Sequence, residues 1–60
     1  MIKIPKHKLC YIADKNNKKT NFVFFMDEDR ELQVGEEFIL RDKHRLKLVG
    51  FDDVILMARI

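Results

Sequence analysis

The stretch Phe22–Glu31, "FVFFMDEDRE", decides the fold. Five apolar residues run without a break and then meet a burst of acid. Aromatic and β-branched side chains suit a pleated surface, so Asn21–Met26 reads as a strand. Its difficulty is cover. A flat sheet buries one face and wets the other, so its strands alternate cleanly. Here "FVFFM", "LCYI" (Leu9–Ile12) and "VILMA" (Val54–Ala58) are apolar on both sides. One solution is a strongly bent sheet closing on itself, its inner face filling an interior and loops shielding part of the outer one. The other is a partner, or a second copy of the chain, covering the outer face.

Working outward, "KLCYIA" (Lys8–Ala13) precedes the decisive strand. The polar turn "DKNNKKT" (Asp14–Thr20) joins the two, and its Asn16 and Asn17 tolerate positive φ. The three together predict a hairpin with a basic tip. "IKI" (Ile2–Ile4) alternates and is then interrupted by Pro5, which fits an edge strand or a lead-in. "DEDRELQ" (Asp27–Gln33) is a polar connection with room for one helical turn capped by Asp27. "VGEEFIL" (Val34–Leu40) and "RLKLVGF" (Arg45–Phe51) flank the turn "RDKHR" and predict a second hairpin. Gly50 marks a bulge, a bend or a close backbone approach. "DD" (Asp52, Asp53) makes a tight turn into the last strand, Val54–Ile60. A helix over Glu36–Val49 is the main rival, but the polar run Arg41–Arg45 breaks any apolar stripe. A helix over Val54–Ile60 would be short and rich in strand formers.

The phrase "LQVGEEFIL" (Leu32–Leu40) resembles the L-x-V-G-acid-x-apolar-x-L phrase of SH3-like small barrels, including KOW and Tudor types. In those barrels the glycine lets the chain enter a strand after a loop. The resemblance covers nine residues and implies a fold only. The aromatic binding cage of such domains has no recognisable counterpart, so their binding function is not carried over. The expected fold is therefore all-β: a small SH3-like barrel or a strongly bent antiparallel sheet of four to five strands, with room for one short helical turn. Period two assigns Leu9, Tyr11, Phe22, Phe24, Phe38, Leu40, Leu46, Leu48, Val54, Leu56 and Ala58 to the core. A slip of one residue in any strand would swap its faces.

Sixty residues make one small domain, 1–60. A domain of this size buries only about 60% of its unfolded surface. Cys10 is the sole cysteine, so no intrachain disulfide helps it, and a lone thiol suits a reducing compartment. No segment approaches the ~20 apolar residues of a membrane span. "MIKIPKHKL" leads into no apolar core of a secretory signal. The expected setting is the cytoplasm, with no membrane partner.

Charge is unevenly spread. Residues 1–20 carry six Lys and one Asp, a balance of +5. Residues 27–37 carry six acids and one Arg, a balance of −5, and the whole chain nets +2. So small a net charge does not by itself imply a nucleic-acid partner.

Chemistry is sparse. There is no serine, which excludes serine nucleophiles. Cys10 with His7 or His44 as base is conceivable, but a small buried thiol in an apolar strand is the commoner role. His7-x-x-Cys10 matches half of some zinc sites, yet positions three apart on a strand face opposite ways and no second cysteine pair exists. The acids lack the order and glycine of a calcium loop, and Gly35 and Gly50 stand too far apart for a phosphate loop. No cofactor, metal or small-molecule substrate is expected, and an enzyme is not the expectation.

Two kinds of binding remain. The first is protein–protein contact through an apolar sheet face or an edge strand, with another protein or a second copy. Its candidate residues are Val23, Phe25, Ile55 and Met57, with the acidic Asp27, Glu28, Asp29 and Glu31 adding selectivity. The second is nucleic-acid binding by basic hairpin turns, through Lys15, Lys18, Lys19, Lys43, Arg45 and Lys47, with Tyr11, Phe22 or Phe25 stacking on bases. A short lysine- and isoleucine-rich chain without catalytic apparatus also fits the accessory proteins of phages and mobile elements.

Overall fold

The computed structural model describes residues 1–60. Its strands are β1 (Ile2–Ile4), β2 (Leu9–Ala13), β3 (Lys19–Phe25), β4 (Arg30–Leu32), β5 (Glu37–Ile39), β6 (Arg45–Gly50) and β7 (Leu56–Arg59). There is no helix. β1 and β4 form a two-stranded sheet, and the rest form a five-stranded sheet in the order β3-β2-β7-β6-β5. The fold is thus all-β. The five-stranded sheet is strongly bent and does not close into a barrel.

Each hairpin follows from its turn. Between β2 and β3 the Asp14 carboxylate accepts the N–H groups of Asn16 and Lys18, and Asn17 takes up a φ of 60°. Asparagine tolerates that left-handed conformation better than most residues. Between β5 and β6 the Leu40 N–H donates to His44 O at 2.9 Å, with Lys43 at φ 73°. Gly35, at φ 93°, turns the chain into β5, and its N–H donates to Leu48 O at 2.8 Å. The register of β6 against β7 shifts between Leu48 and Gly50, one of the irregularities (bulge, bend or close approach) expected at that glycine.

Three expectations are corrected. The bent sheet has five strands, within the four to five expected, but Arg30–Leu32, expected as part of a polar connection, is itself a strand against β1. The helical turn at Asp27–Gln33 does not form. The Asp27 carboxylate accepts from Arg30 and from the Arg41 N–H instead of capping a helix. The sheet is also not wholly antiparallel. β2 and β7 pair in parallel, joining the two hairpins at the centre of the sheet.

The core lies between the concave face of the large sheet and the β1–β4 pair. It comprises Ile4, Cys10, Ile12, Met26, Leu32, Phe38, Leu46, Leu48 and Met57, with Ile2, Phe24, Leu40 and Ile55 packed against it. Phe38, Leu46 and Leu48 were expected there. In β2 and β7 the expected faces are exchanged. Cys10, Ile12 and Met57 point inward, while Leu9 is exposed and Tyr11, Leu56 and Ala58 are half-buried on the other side. Phe22, also expected in the core, is 67% exposed. Both faces of these strands are oily, so period two leaves the inward face to be decided by the β1–β4 cover, which buries Ile4 and Leu32.

Candidate interaction surface

β3 is an edge strand, hydrogen-bonded to β2 alone. Its pairing sets Phe25 opposite Leu9, Phe24 opposite Cys10 and Val23 opposite Tyr11. Cys10 is buried, so the alternate residues Leu9, Tyr11, Val23 and Phe25 share the outer face. Tyr11 also stands beside Leu56 of β7. Phe25 is 64% exposed and Val23 46%. The result is a contiguous apolar strip that ends at an unpaired strand edge. Neither charge nor proline interrupts Phe22–Phe25, although edges are commonly protected by both.

At its start β3 is irregular. The register against β2 shifts between Tyr11 and Ala13, and the Thr20 side chain fills the gap. Its hydroxyl donates to Ile12 O at 2.7 Å and accepts the Phe22 N–H at 3.1 Å. On the concave side Phe22 meets the Arg59 guanidinium, 5.9 Å from its ring. Here Phe22, Val23 and Phe24 of β3 share a notch of about 220 Å³ with Leu40, Asp42 and His44 at the β5–β6 turn.

The expected interface residues divide. Val23 and Phe25 lie together on the outer strip. Met57 does not belong with them: it is fully buried beneath the sheet. Ile55 is half-buried against the core, and its carbonyl accepts the Tyr11 N–H at 2.8 Å. The acids gather at the corner after β3, but largely as structural groups. Asp27 is bound by Arg30 and by the Arg41 N–H. Glu28 lies between Arg30, at 3.5 Å, and Arg41, at 3.3 Å. Asp29 accepts the Lys6 N–H at 2.7 Å. Glu31 is exposed and stands opposite Lys3.

The basic residues are only partly assembled. Lys15 and Lys47 line one shallow notch with Arg59 and Glu37. Lys19 places its ammonium 4.9 Å from the Tyr11 ring, and Lys18 lies in the turn before it. Lys43 sits in the β5–β6 turn, and Arg45 is paired with Glu37 at 3.4 Å.

Leu9 and Phe22, expected in the core, are exposed, and Tyr11, also expected there, is half-buried on the outer face. Cys10 is buried, and burial pushes its thiol up to about 11 despite the opposing charge of Lys8. At neutral pH it is a protonated thiol facing the Lys8 carbonyl, 3.5 Å away. That arrangement is the reverse of an activated nucleophile. His44 is exposed and bound to Asp42 at 2.9 Å, and no three His, Cys, Asp or Glu side chains converge as metal ligands. Compared with protein-family models, curated proteins and solved structures, the chain matches none.

Proposed function

We propose that this protein is a small non-enzymatic binding module that works by protein–protein contact in the cytoplasm. Its docking surface is the free edge of β3 with the outer strip Leu9, Tyr11, Val23 and Phe25. The observation that carries the reading is this coincidence of an exposed apolar strip and an unpaired strand edge. An incoming strand gains backbone hydrogen bonds from the edge and side-chain contact from the strip, the two elements of strand addition. The acidic corner Asp27–Glu31 and the basic turn before β3 border the surface and select the partner's polarity. An accessory role in a phage or mobile element is compatible with such a module.

Nucleic-acid binding is the second reading. It is favoured by Lys15 and Lys47 sharing a notch and by Lys19 over Tyr11. It is disfavoured by Glu37, which lines that notch and neutralises Arg45. Affinity capture from cells expressing the protein, with and without nuclease, separates the two. Under the first reading the captured proteins survive nuclease and are lost with Phe25→Asp, while a Lys15→Ala, Lys47→Ala double variant retains them. Capture that disappears on nuclease treatment overturns it.

A further inference from the structure

We propose that the partner of the β3 edge is a second copy of the same chain, its β3 running antiparallel about a two-fold axis at Val23. This rests on the docking surface just described and names its occupant.

The backbone fixes the register. The Tyr11 N–H donates to Ile55 O, toward β7, so Tyr11 turns its backbone groups away from β3. Cys10 and Ile12 therefore turn theirs toward β3, as the Thr20 hydroxyl bond to Ile12 O requires. Phe24, opposite Cys10, points its N–H and C=O inward, and Val23 and Phe25 are left with theirs on the open edge. Symmetric antiparallel pairing about Val23 then sets Val23 against the second copy's Val23, with Asn21 and Phe25 facing each other across the axis. Of these, Val23 and Phe25 have the backbone groups that the β2–β3 register leaves on the open edge. The same register places the exposed Phe22 opposite the second copy's Phe24, an aromatic cross-strand pair on the concave side. The irregularity at Thr20 keeps the ladder short and centred on Phe22–Phe25.

Charge selects this occupant and this direction. β3 is preceded by Lys15 and Lys18, begins at Lys19, and is followed by Asp27, Glu28 and Asp29. At that far corner Arg30 and Arg41 pair with Asp27 and Glu28, and Lys3 stands opposite Glu31, so Asp29 is the exposed acid left without a side-chain ion pair. In antiparallel pairing each basic end meets the other copy's acidic corner, at both ends at once. Parallel pairing sets like charge against like. A foreign strand would have to carry this polarity independently, whereas a second copy has it by construction.

Sedimentation equilibrium of the wild-type protein and Val23→Arg tests the proposal, with circular dichroism confirming that the variant is folded. The wild type is expected to dimerise. Val23→Arg sets two guanidiniums on the axis and is expected to weaken association by roughly a hundredfold. Val23→Cys supplies an independent check: mild oxidation should yield a covalent dimer, because residues facing each other in a hydrogen-bonded pair have Cα atoms about 5.5 Å apart, within disulfide reach. Phe51→Cys, exposed outside β3, should give none at equal concentration. A wild type that stays monomeric up to millimolar concentration overturns the second copy as occupant, and leaves the edge open to a foreign strand captured as described above. A dimer that survives Val23→Arg and does not cross-link through Val23→Cys overturns the assignment of the surface itself.

Discussion

Asp27 ties together separate pieces of chain with one carboxylate. Oδ1 accepts from Arg30 Nε at 3.2 Å, and Oδ2 accepts from a terminal Arg30 nitrogen at 3.2 Å and from the Arg41 N–H at 2.8 Å. Arg30 in turn lies 5.0 Å from the Phe38 ring and donates to Ile39 O, so the carboxylate anchors the β5 edge. Burial raises this carboxyl's pKa, but the bonds from Arg30 and Arg41 outweigh burial and hold it below its ordinary value. A depressed folded pKa contributes stability that is present above the unfolded value, about 3.9, and lost as pH falls through the folded one. Asp27→Asn should therefore cost about 2 kcal/mol at neutral pH, the scale of charge-assisted hydrogen bonds. Denaturant melts of both proteins should converge as the pH is lowered past the wild-type carboxyl's titration. A gap unchanged in acid would show that the carboxylate's charge is irrelevant. Cys10 yields a second test. With its thiol buried and pushed up to about 11, it should resist thiol reagents until the protein unfolds. Labelling in denaturant should track the loss of β-sheet signal, and rapid labelling of the native protein would contradict the burial. Neither role was legible in sequence alone. The acids of "DEDRE" read as a solvated docking loop because the Arg41 N–H that binds Asp27 lies 14 positions away.

At the scale of elements, β7 is the strand on which the sheet depends. It pairs with β6 on one side and with β2 on the other, and so joins the two hairpins. Deleting Leu56–Ile60 should abolish cooperative unfolding, and a truncated chain that still melts sharply would refute the topology. Within the strands, exposure ranks the cost of truncation. Leu48 is fully buried, so Leu48→Ala should cost about 2–5 kcal/mol. Phe24 is only partly buried, and Phe24→Ala should fall short of the ~3–5 kcal/mol typical of a buried phenylalanine. Phe22→Ala should be nearly neutral in a monomer. The order Leu48, Phe24, Phe22, read from denaturant midpoints, checks the face assignment. Both hairpins were legible in the sequence because their signals are local: Asn16 and Asn17 in one turn, the polar run Arg41–Arg45 in the other, Gly35 before β5, Gly50 at the register shift. Parity was not. "LCYI" and "VILMA" are oily on both faces, so only the tertiary position of Ile4 and Leu32 decides that Cys10 and Met57 face inward. The parallel contact of β2 with β7 has no local signature, and Arg30–Leu32 contains one apolar residue, too little to announce a strand.

On the scale of the whole molecule, stability and association are one question. A chain of 60 residues without a disulfide buries a core of limited size, and here it leaves Phe22, Val23 and Phe25 exposed along one edge. Pairing of β3 with a second copy adds cover to those side chains and hydrogen bonds to the open edge. Because the associated state is folded, mass action makes folding depend on concentration. At a partner concentration about a hundred times the dissociation constant, the native state gains about 2.7 kcal/mol. Each kcal/mol raises the melting midpoint of a domain this small by roughly 4–8 °C. The wild-type midpoint should therefore climb as protein concentration increases across the dissociation constant, while that of Val23→Arg stays level. Salt should act in a predictable direction. The Lys19 end and the Asp27–Asp29 corner attract across solvent, and screening at ~1 M salt shortens the range of that attraction to about 3 Å. Added salt should thus reduce the concentration dependence without abolishing it, since the apolar contacts of Val23 and Phe22 are not screened. Calorimetric scans at two concentrations, each at low and high salt, measure both effects. A midpoint independent of concentration at low salt would mean that the monomer is stable with its oily edge bare, and that the charge polarity of β3 serves some other contact.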